Sequence, residues 1–256
     1  MSVSMSAIAQ QPSTPQFYVV ARVVGSKGSF KRWSELLVHL CGVSATEPQG
    51  NSYYWGQDVD GREPDTLWGL EGYSHAIGFF TGHPSSQVFQ AQMSLVDSER
   101  LLAEDYDLHH YDLAGGFLSR SDDEGKNRKD GFVAVLHFWA KERQVREVLV
   151  GWLNVLARKT REEDAGNGVQ SCAVLRECND LRMATLWLRT TSKAAFEKFQ
   201  TCASYKAIVD DELEADGKLV ERTEMHRSQA FIGHIDKTPL VEQLGTHEIN
   251  FGRVKG

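Results

Sequence analysis

Apolar residues recur along the chain at two periods, one suited to strands and one to helices. Residues 17–24 read Phe-Tyr-Val-Val-Ala-Arg-Val-Val and stop at Gly25, which predicts a strand. Beyond Ser29, a candidate N-cap, Phe30, Trp33, Leu37, Leu40 and Cys41 follow at helical spacing until Gly42. Residues 52–55 and 66–73 predict two further strands, with turn chemistry over 58–64 between them. Residues 74–102 predict a helix interrupted near Gly82-His83-Pro84, and residues 107–120 a long fourth strand. Residues 121–130 (SDDEGKNRKD) are almost free of apolar side chains and predict a solvated linker.

After the linker the order returns. Residues 132–139 predict a strand, and Val145, Val148, Leu149, Trp152 and Leu156 an amphipathic helix. Residues 169–178 and 181–189 predict two strands joined at Asn179-Asp180, a pair suited to a tight turn. Residues 192–215 predict a helix and 219–235 contain a last strand. Phe17 and Phe132 lie 115 residues apart, Phe117 and Phe231 lie 114 apart, and Leu70 and Leu186 lie 116 apart. A nearly constant offset across three elements argues for internal duplication. The expected organisation is a disordered N-terminus over 1–16, a first α+β domain over 17–120, a linker over 121–131, a second domain over 132–237 and a C-terminal tail over 238–256.

Each half reads β-α-β-β-α-β, the ferredoxin-like order. Such a sheet carries helices on one face only, so its other face needs a cover. Two halves can supply that cover to each other, giving a barrel-like interior. Closure within one chain and closure against a second copy, a homodimer, both satisfy the pattern.

Composition narrows the function. The chain of 256 residues is 41% hydrophobic and 25% charged, with a net charge of -7 spread along its length. Without a basic stripe a nucleic-acid partner is not expected. No stretch has the length of a membrane span and the N-terminus lacks the run of a signal peptide, so a cytoplasmic protein is expected. The four cysteines include no CxxC pair and read as buried reduced thiols. No HxH or HExxH, no GxGxxG after a strand and no GxxxxGK[ST] occurs, so neither a metal nor a nucleotide cofactor is expected.

Strand alternation then selects candidate chemistry. On the first strand Phe17, Val19, Ala21 and Val23 form one apolar face, which leaves Tyr18, Val20, Arg22 and Val24 on the other. On the fifth, Phe132, Ala134, Leu136 and Phe138 oppose Val133, Val135, His137 and Trp139. Arg22 and His137 therefore occupy equivalent places, both expected to face a common interior. A histidine there suits a general base, and an arginine suits an oxyanion partner. Trp68, Trp139, Trp187 and Tyr54, all on predicted strands, are candidate aromatic walls for a flat ligand.

The first half resembles the antibiotic biosynthesis monooxygenase (ABM) family of the dimeric α+β barrel superfamily. The likeness rests on the strand FYVVARVV with its glycine, on Glu47-Pro48 followed by Tyr53-Tyr54, and on Glu71-Gly72-Tyr73-Ser74 leading to His83-Pro84-Ser85. It covers most of residues 17–120. In the second half the architecture persists but the pattern is lost, with Trp187 near the Glu71 position and Gln200 near the His83 position. The resemblance implies a tandem α+β barrel and oxidation of a small phenolic, polyketide-type aromatic by dioxygen, without metal or flavin. It also brings in Tyr73 as a candidate hydrogen-bond donor to substrate, His83 as a candidate catalyst or helix cap, and Glu71 as a substrate-side or structural carboxylate. Cyclisation, isomerisation, decarboxylation and mere ligand binding occur on related barrels, so the fold by itself leaves the reaction open.

Overall fold

The computed structural model describes residues 16–61, 65–121, 123, 130–163, 168–214 and 219–237. The expected disordered N-terminus (Gln16 apart), the expected tail over 238–256 and most of the linker lie outside these residues. Eight strands appear among the described residues: β1 (Phe17–Val24), β2 (Gly50–Asp58), β3 (Thr66–Tyr73), β4 (Asp107–Phe117), β5 (Phe132–Ala140), β6 (Val169–Glu177), β7 (Met183–Thr190) and β8 (Val220–His234). The longer helices are α1 (Phe30–Thr46), α2 (Gln87–Ser98), α3 (Arg146–Glu162) and α4 (Lys193–Gln200). No helix among the described residues is long and apolar enough to cross a membrane.

The strands close into one antiparallel barrel in the order β1-β3-β2-β8-β5-β7-β6-β4. Each half supplies one four-stranded ferredoxin-like sheet, and both seams lie between halves, at β2–β8 and β4–β6. Closure therefore takes place within a single chain. The seams are equivalent in detail. Ala114 is the extra residue where Leu113 and Gly115 face Leu175 and Val174, and Phe231 is the extra residue where Ile232 and Ala230 face Trp55 and Gly56. A bulge of this kind bends and twists a strand, as a closing barrel requires. At Gly116 the backbone has φ +81°, and a Cβ would sit 2.1 Å from the Cys172 carbonyl oxygen, so this corner of the seam demands glycine.

Because helices cover the outside and side chains fill the inside, the first strand of each half is buried on both faces. β5 is buried at all nine positions. The expected face assignment holds. Ala21 and Val23 pack under α1 with Trp33, Leu37 and Leu40, whereas Tyr18 and Val20 join the barrel interior. In β5, Phe132, Ala134, Leu136 and Phe138 pack with α3 and Val133, Val135 and Trp139 point inward.

Helix boundaries shift from expectation for local reasons. α1 passes its expected stop at Gly42, which is exposed, and continues to bury Ser44; a glycine inside a helix costs about 1 kcal/mol, which packing offsets. The helix expected over 74–102 is broken by a π-helical turn (Gly78–Gly82) and a 3₁₀ turn (His83–Ser85). It restarts at α2, where Ser86 Oγ accepts a hydrogen bond from Phe89 N at 3.1 Å. The helix expected over 192–215 divides into α4, a turn at Ala203–Tyr205 and a π-helical segment Lys206–Glu214.

One end of the barrel is plugged. Arg189, 2% exposed, points inward from β7, makes an ion pair with buried Asp123 and lies 5.7 Å from the Tyr54 ring centroid. Asp123 belongs to the expected linker, and its buried carboxylate is the counter-charge of Arg189. Asp123→Ala is expected to destabilise the protein by about 3–5 kcal/mol through an unpaired buried guanidinium. Urea unfolding measures this. In Asp123→Ala/Arg189→Met most of the loss is expected to be recovered.

Candidate active site

The opposite end of the barrel is open and holds a cavity of about 1140 Å³. That is ample for a polycyclic aromatic molecule. Its wall is contributed by the C-terminal ends of β1, β2 and β5, the N-terminal ends of β3 and β4, and the first half of β8. Both halves thus line one chamber.

His137 forms part of the chamber wall and is 3% exposed. Its Nδ1 lies 2.8 Å from Thr185 Oγ1, the residue directly across the β5–β7 ladder, and 3.5 Å from the Tyr111 hydroxyl. Thr185 Oγ1 in turn donates to the Tyr111 oxygen at 2.9 Å. These contacts are all at Nδ1, which leaves Nε2 for the chamber. Burial foremost, and then the charges of His109, His226 and Arg222, push the His137 pKa well below its ordinary value. The ring is therefore neutral at physiological pH, with a free lone pair on one nitrogen.

Two tryptophans frame it. Trp68 donates its Nε1–H to Asp58 at 3.1 Å and stacks on His226 with ring centroids 4.3 Å apart. Trp139 donates to Asp180 at 3.0 Å and carries the Arg222 guanidinium 3.7 Å from its ring centroid. Satisfied indole N–H groups hold both rings in place. Arg22 stands at the rim, partly exposed, 3.3 Å from Glu104. On its strand neighbours it faces Trp68 and Asp107. The structure thus brings His137, Arg22, Trp68 and Trp139 to one chamber, which alternation predicts for His137, Arg22 and Trp139.

The remaining candidates lie elsewhere. Tyr54 and Trp187 are inside the barrel, edge to face at 6.1 Å, but belong to the packed layer toward the plugged end and do not line the chamber. Glu71 and Tyr73 are on the helix-facing side of β3, since inward-pointing Trp68 and Leu70 have the opposite parity. Tyr73 donates to Glu71 Oε2 at 2.9 Å, and His83 Nδ1 lies 2.6 Å from Glu47 Oε1. Tyr73, His83 and Glu71 therefore form a buried polar knot with Glu47, outside the barrel and apart from His137. Within it burial raises the Glu71 pKa against the lowering effects of His83 and Tyr73. Burial also opposes charge on His83, but the Glu47 hydrogen bond and the Glu71 charge prevail and raise its pKa. The knot ties the 3₁₀ turn at His83 to the C-terminal end of α1, beside Tyr73 and Glu71 of β3.

Several residues in or behind the chamber wall were not singled out by the sequence: His109, Arg222 and His226 line it, and Tyr111 and Thr185 lie buried behind His137. Continuing the alternation through β4 would have placed Asp107, His109 and Tyr111 on one inward face. Among the described residues no three His, Cys, Asp or Glu side chains are placed to hold one metal ion.

No family model matches the chain, and no curated protein matches it. Solved structures do. A candidate monooxygenase from Fusobacterium nucleatum superposes with TM-score 0.70 at 9% identity, over 86% of this chain and 94% of its own. A candidate monooxygenase from Lactobacillus acidophilus gives 0.67 at 9% identity, over 85% and 97%. An anthrone oxidase-like protein gives 0.62 at 13% identity, over 89% and 96%. At these identities the likeness establishes a shared fold along nearly the whole chain.

The buried neutral ring has a consequence for stability. The unfolded chain takes up a proton on His137 near pH 6.5, and the folded protein resists doing so. Lowering pH below 6.5 therefore favours unfolding, by at most about 1.4 kcal/mol per pH unit for this one group. His234, pushed down to about 4 by burial, acts in the same direction. Urea midpoints at pH 7.5 and 5.5 are expected to fall less for His137→Gln than for the unaltered protein. Equal falls would show that His137 is not held neutral.

Proposed function

We propose that this protein is an oxygenase that oxidises a phenolic, anthrone-like aromatic with dioxygen, without metal or flavin, using His137 as the proton acceptor. The observation that carries this reading is the neutral His137 ring, tied at Nδ1 to Thr185 and turned toward a chamber walled by Trp68 and Trp139. A neutral imidazole in such a chamber can take a proton from an acidic carbon beside a phenol. The deprotonated aromatic is electron-rich and supplies the electrons that dioxygen accepts, so the chemistry asks little of the protein beyond deprotonation, orientation and exclusion of water. The two indoles suit a flat ring system, through stacking and area burial. Arg22 at the rim suits a phenolate oxygen as a charge-assisted partner. The fold shared with two candidate monooxygenases and an anthrone oxidase-like protein agrees with this reading. A substrate derived from a polyketide fits the same chamber.

The same chamber would also serve proton transfer without oxygen, as in cyclisation, isomerisation or decarboxylation. The distinguishing experiment is turnover of an anthrone by purified protein treated with chelator, in air and under nitrogen. Consumption of one dioxygen per quinone formed is expected in air, with no turnover under nitrogen. Equal turnover under nitrogen removes the oxygenase reading. His137→Ala is expected to lower kcat by about 10²–10⁴-fold, the usual contribution of a positioned base. Arg22→Ala is expected mainly to raise KM.

A further inference from the structure

The chamber contains a second imidazole whose surroundings are the reverse of those of His137. We infer that His109 is the proton donor of this chamber, opposite His137 as proton acceptor. The inference rests on the reading of the barrel mouth as a reaction chamber. The ring centroids of His109 and His137 are 5.6 Å apart, so one bound molecule can touch both.

The geometry around His109 is built to hold a cation. Its Nε2 lies 3.4 Å from Asp107 Oδ1, and its Nδ1 lies 3.8 Å from Glu177 Oε1. Glu177 is 3% exposed and is anchored by backbone N–H groups of His110, at 3.3 Å, and of Asn179 and Asp180. Those three donors and the His109 charge outweigh the cost of burial and keep Glu177 ionised below its usual range. The carboxylate is thus fixed beneath the ring by the β6–β7 turn. Groups of both signs face His109. Asp107 comes from its own strand, Glu177 and Asp180 from the β6–β7 turn, Arg22 from β1, His137 from β5, and His110 adjoins it in sequence. The carboxylates dominate, with Glu177 first, and raise the His109 pKa against burial. Around His137 the neighbours are His109 and Tyr111 from β4, Thr185 from β7, and Arg222, Glu224 and His226 from β8, where Glu224, across the ladder from His137, is paired with Arg222 at 3.3 Å and lies 3.7 Å from His226. Two titratable groups driven apart by their environments are the usual signature of an acid–base pair.

The pair completes a balanced oxidation of a methylene to a carbonyl. His137 takes one carbon-bound proton. The carbanion and dioxygen form a C–O bond, leaving a peroxide anion, and His109 donates its proton to the outer oxygen. Neutral His109 then accepts the second carbon-bound proton as the carbonyl forms and the O–O bond breaks. The departing hydroxide takes the proton held by His137 and leaves as water. Four electrons pass from carbon to dioxygen, and both imidazoles return to their starting states. In a reaction without oxygen the same two rings would move one proton onto and one off the substrate.

The test begins on the full chain without substrate. Titration of ¹⁵N-labelled imidazoles, with His109→Gln and His137→Gln used for assignment, is expected to show His109 doubly protonated at a pH where His137 is neutral. Glu177→Gln is expected to bring the His109 midpoint to lower pH, because it removes the charge and keeps an acceptor oxygen. A His109 midpoint at or below that of His137 overturns the pairing, whatever the reaction. Turnover of the anthrone is then expected to fall on the alkaline side as His109 loses its proton. His109→Gln is expected to abolish that alkaline limb and to reduce kcat by about 10²-fold or more with KM little changed. Glu177→Gln is expected to move the limb to lower pH. An unaltered alkaline limb in His109→Gln overturns the donor role. Turnover that persists under nitrogen removes the oxygenase reading alone and leaves the pair to be judged by the titration.

Discussion

The structure depends on pairing the edge strands of two half-sheets. Each ferredoxin-like half ends in two strands, β2 and β4 in the first, β6 and β8 in the second, whose outer backbone groups need partners. Pairing β2 with β8 and β4 with β6 satisfies both edges at once and removes every open edge among the described strands. Closure then forces alternate residues of every strand into a common interior. The chamber, its walls and the convergence of side chains from six strands follow from that one constraint.

Inside the barrel the two ends are treated differently. At one end Arg189 and Asp123 neutralise each other among large aromatic side chains, including Tyr54 and Trp187. That end is filled. At the other end the inward positions carry mostly polar and charged side chains with Trp68 and Trp139, and the space between them stays open. The buried ion pair closes the floor with charges that are fully compensated, so the titratable groups of the open end work over a rigid base.

Electrostatic asymmetry within the chamber is the feature closest to chemistry. His137 and His109 are of one residue type and nearly in contact, yet their environments differ in the number of carboxylates that reach them. The β6–β7 turn presents Glu177 and Asp180 to His109, whereas hydroxyls of Thr185 and Tyr111 face His137. A tight turn that points backbone N–H groups at a carboxylate keeps that carboxylate charged, and the carboxylate keeps its histidine charged. The Tyr73–Glu71 and His83–Glu47 contacts use the same physics on the outer side of the sheet, beside a smaller cavity of about 330 Å³ that Glu47 and Tyr73 help to line.

The periods of apolar residues were enough to identify the eight strands and the inward places of Arg22, His137 and Trp139, because β1 and β5 are long, regular and coupled by a fixed offset. Family likeness singled out Tyr73 and His83 without saying on which side of the sheet they lie, since residue order carries no such information; the structure places both on the outer side. His109 was legible in principle, by extending alternation along β4, but nothing in the sequence shows that Glu177, 68 residues later, lies beneath it. Local sequence determines period, and period determines facing. Which residues from distant strands share a face, and hence which histidine is held charged and which neutral, was decided only when the two seams closed, because electrostatic coupling acts through space and depends on distances that no single segment encodes.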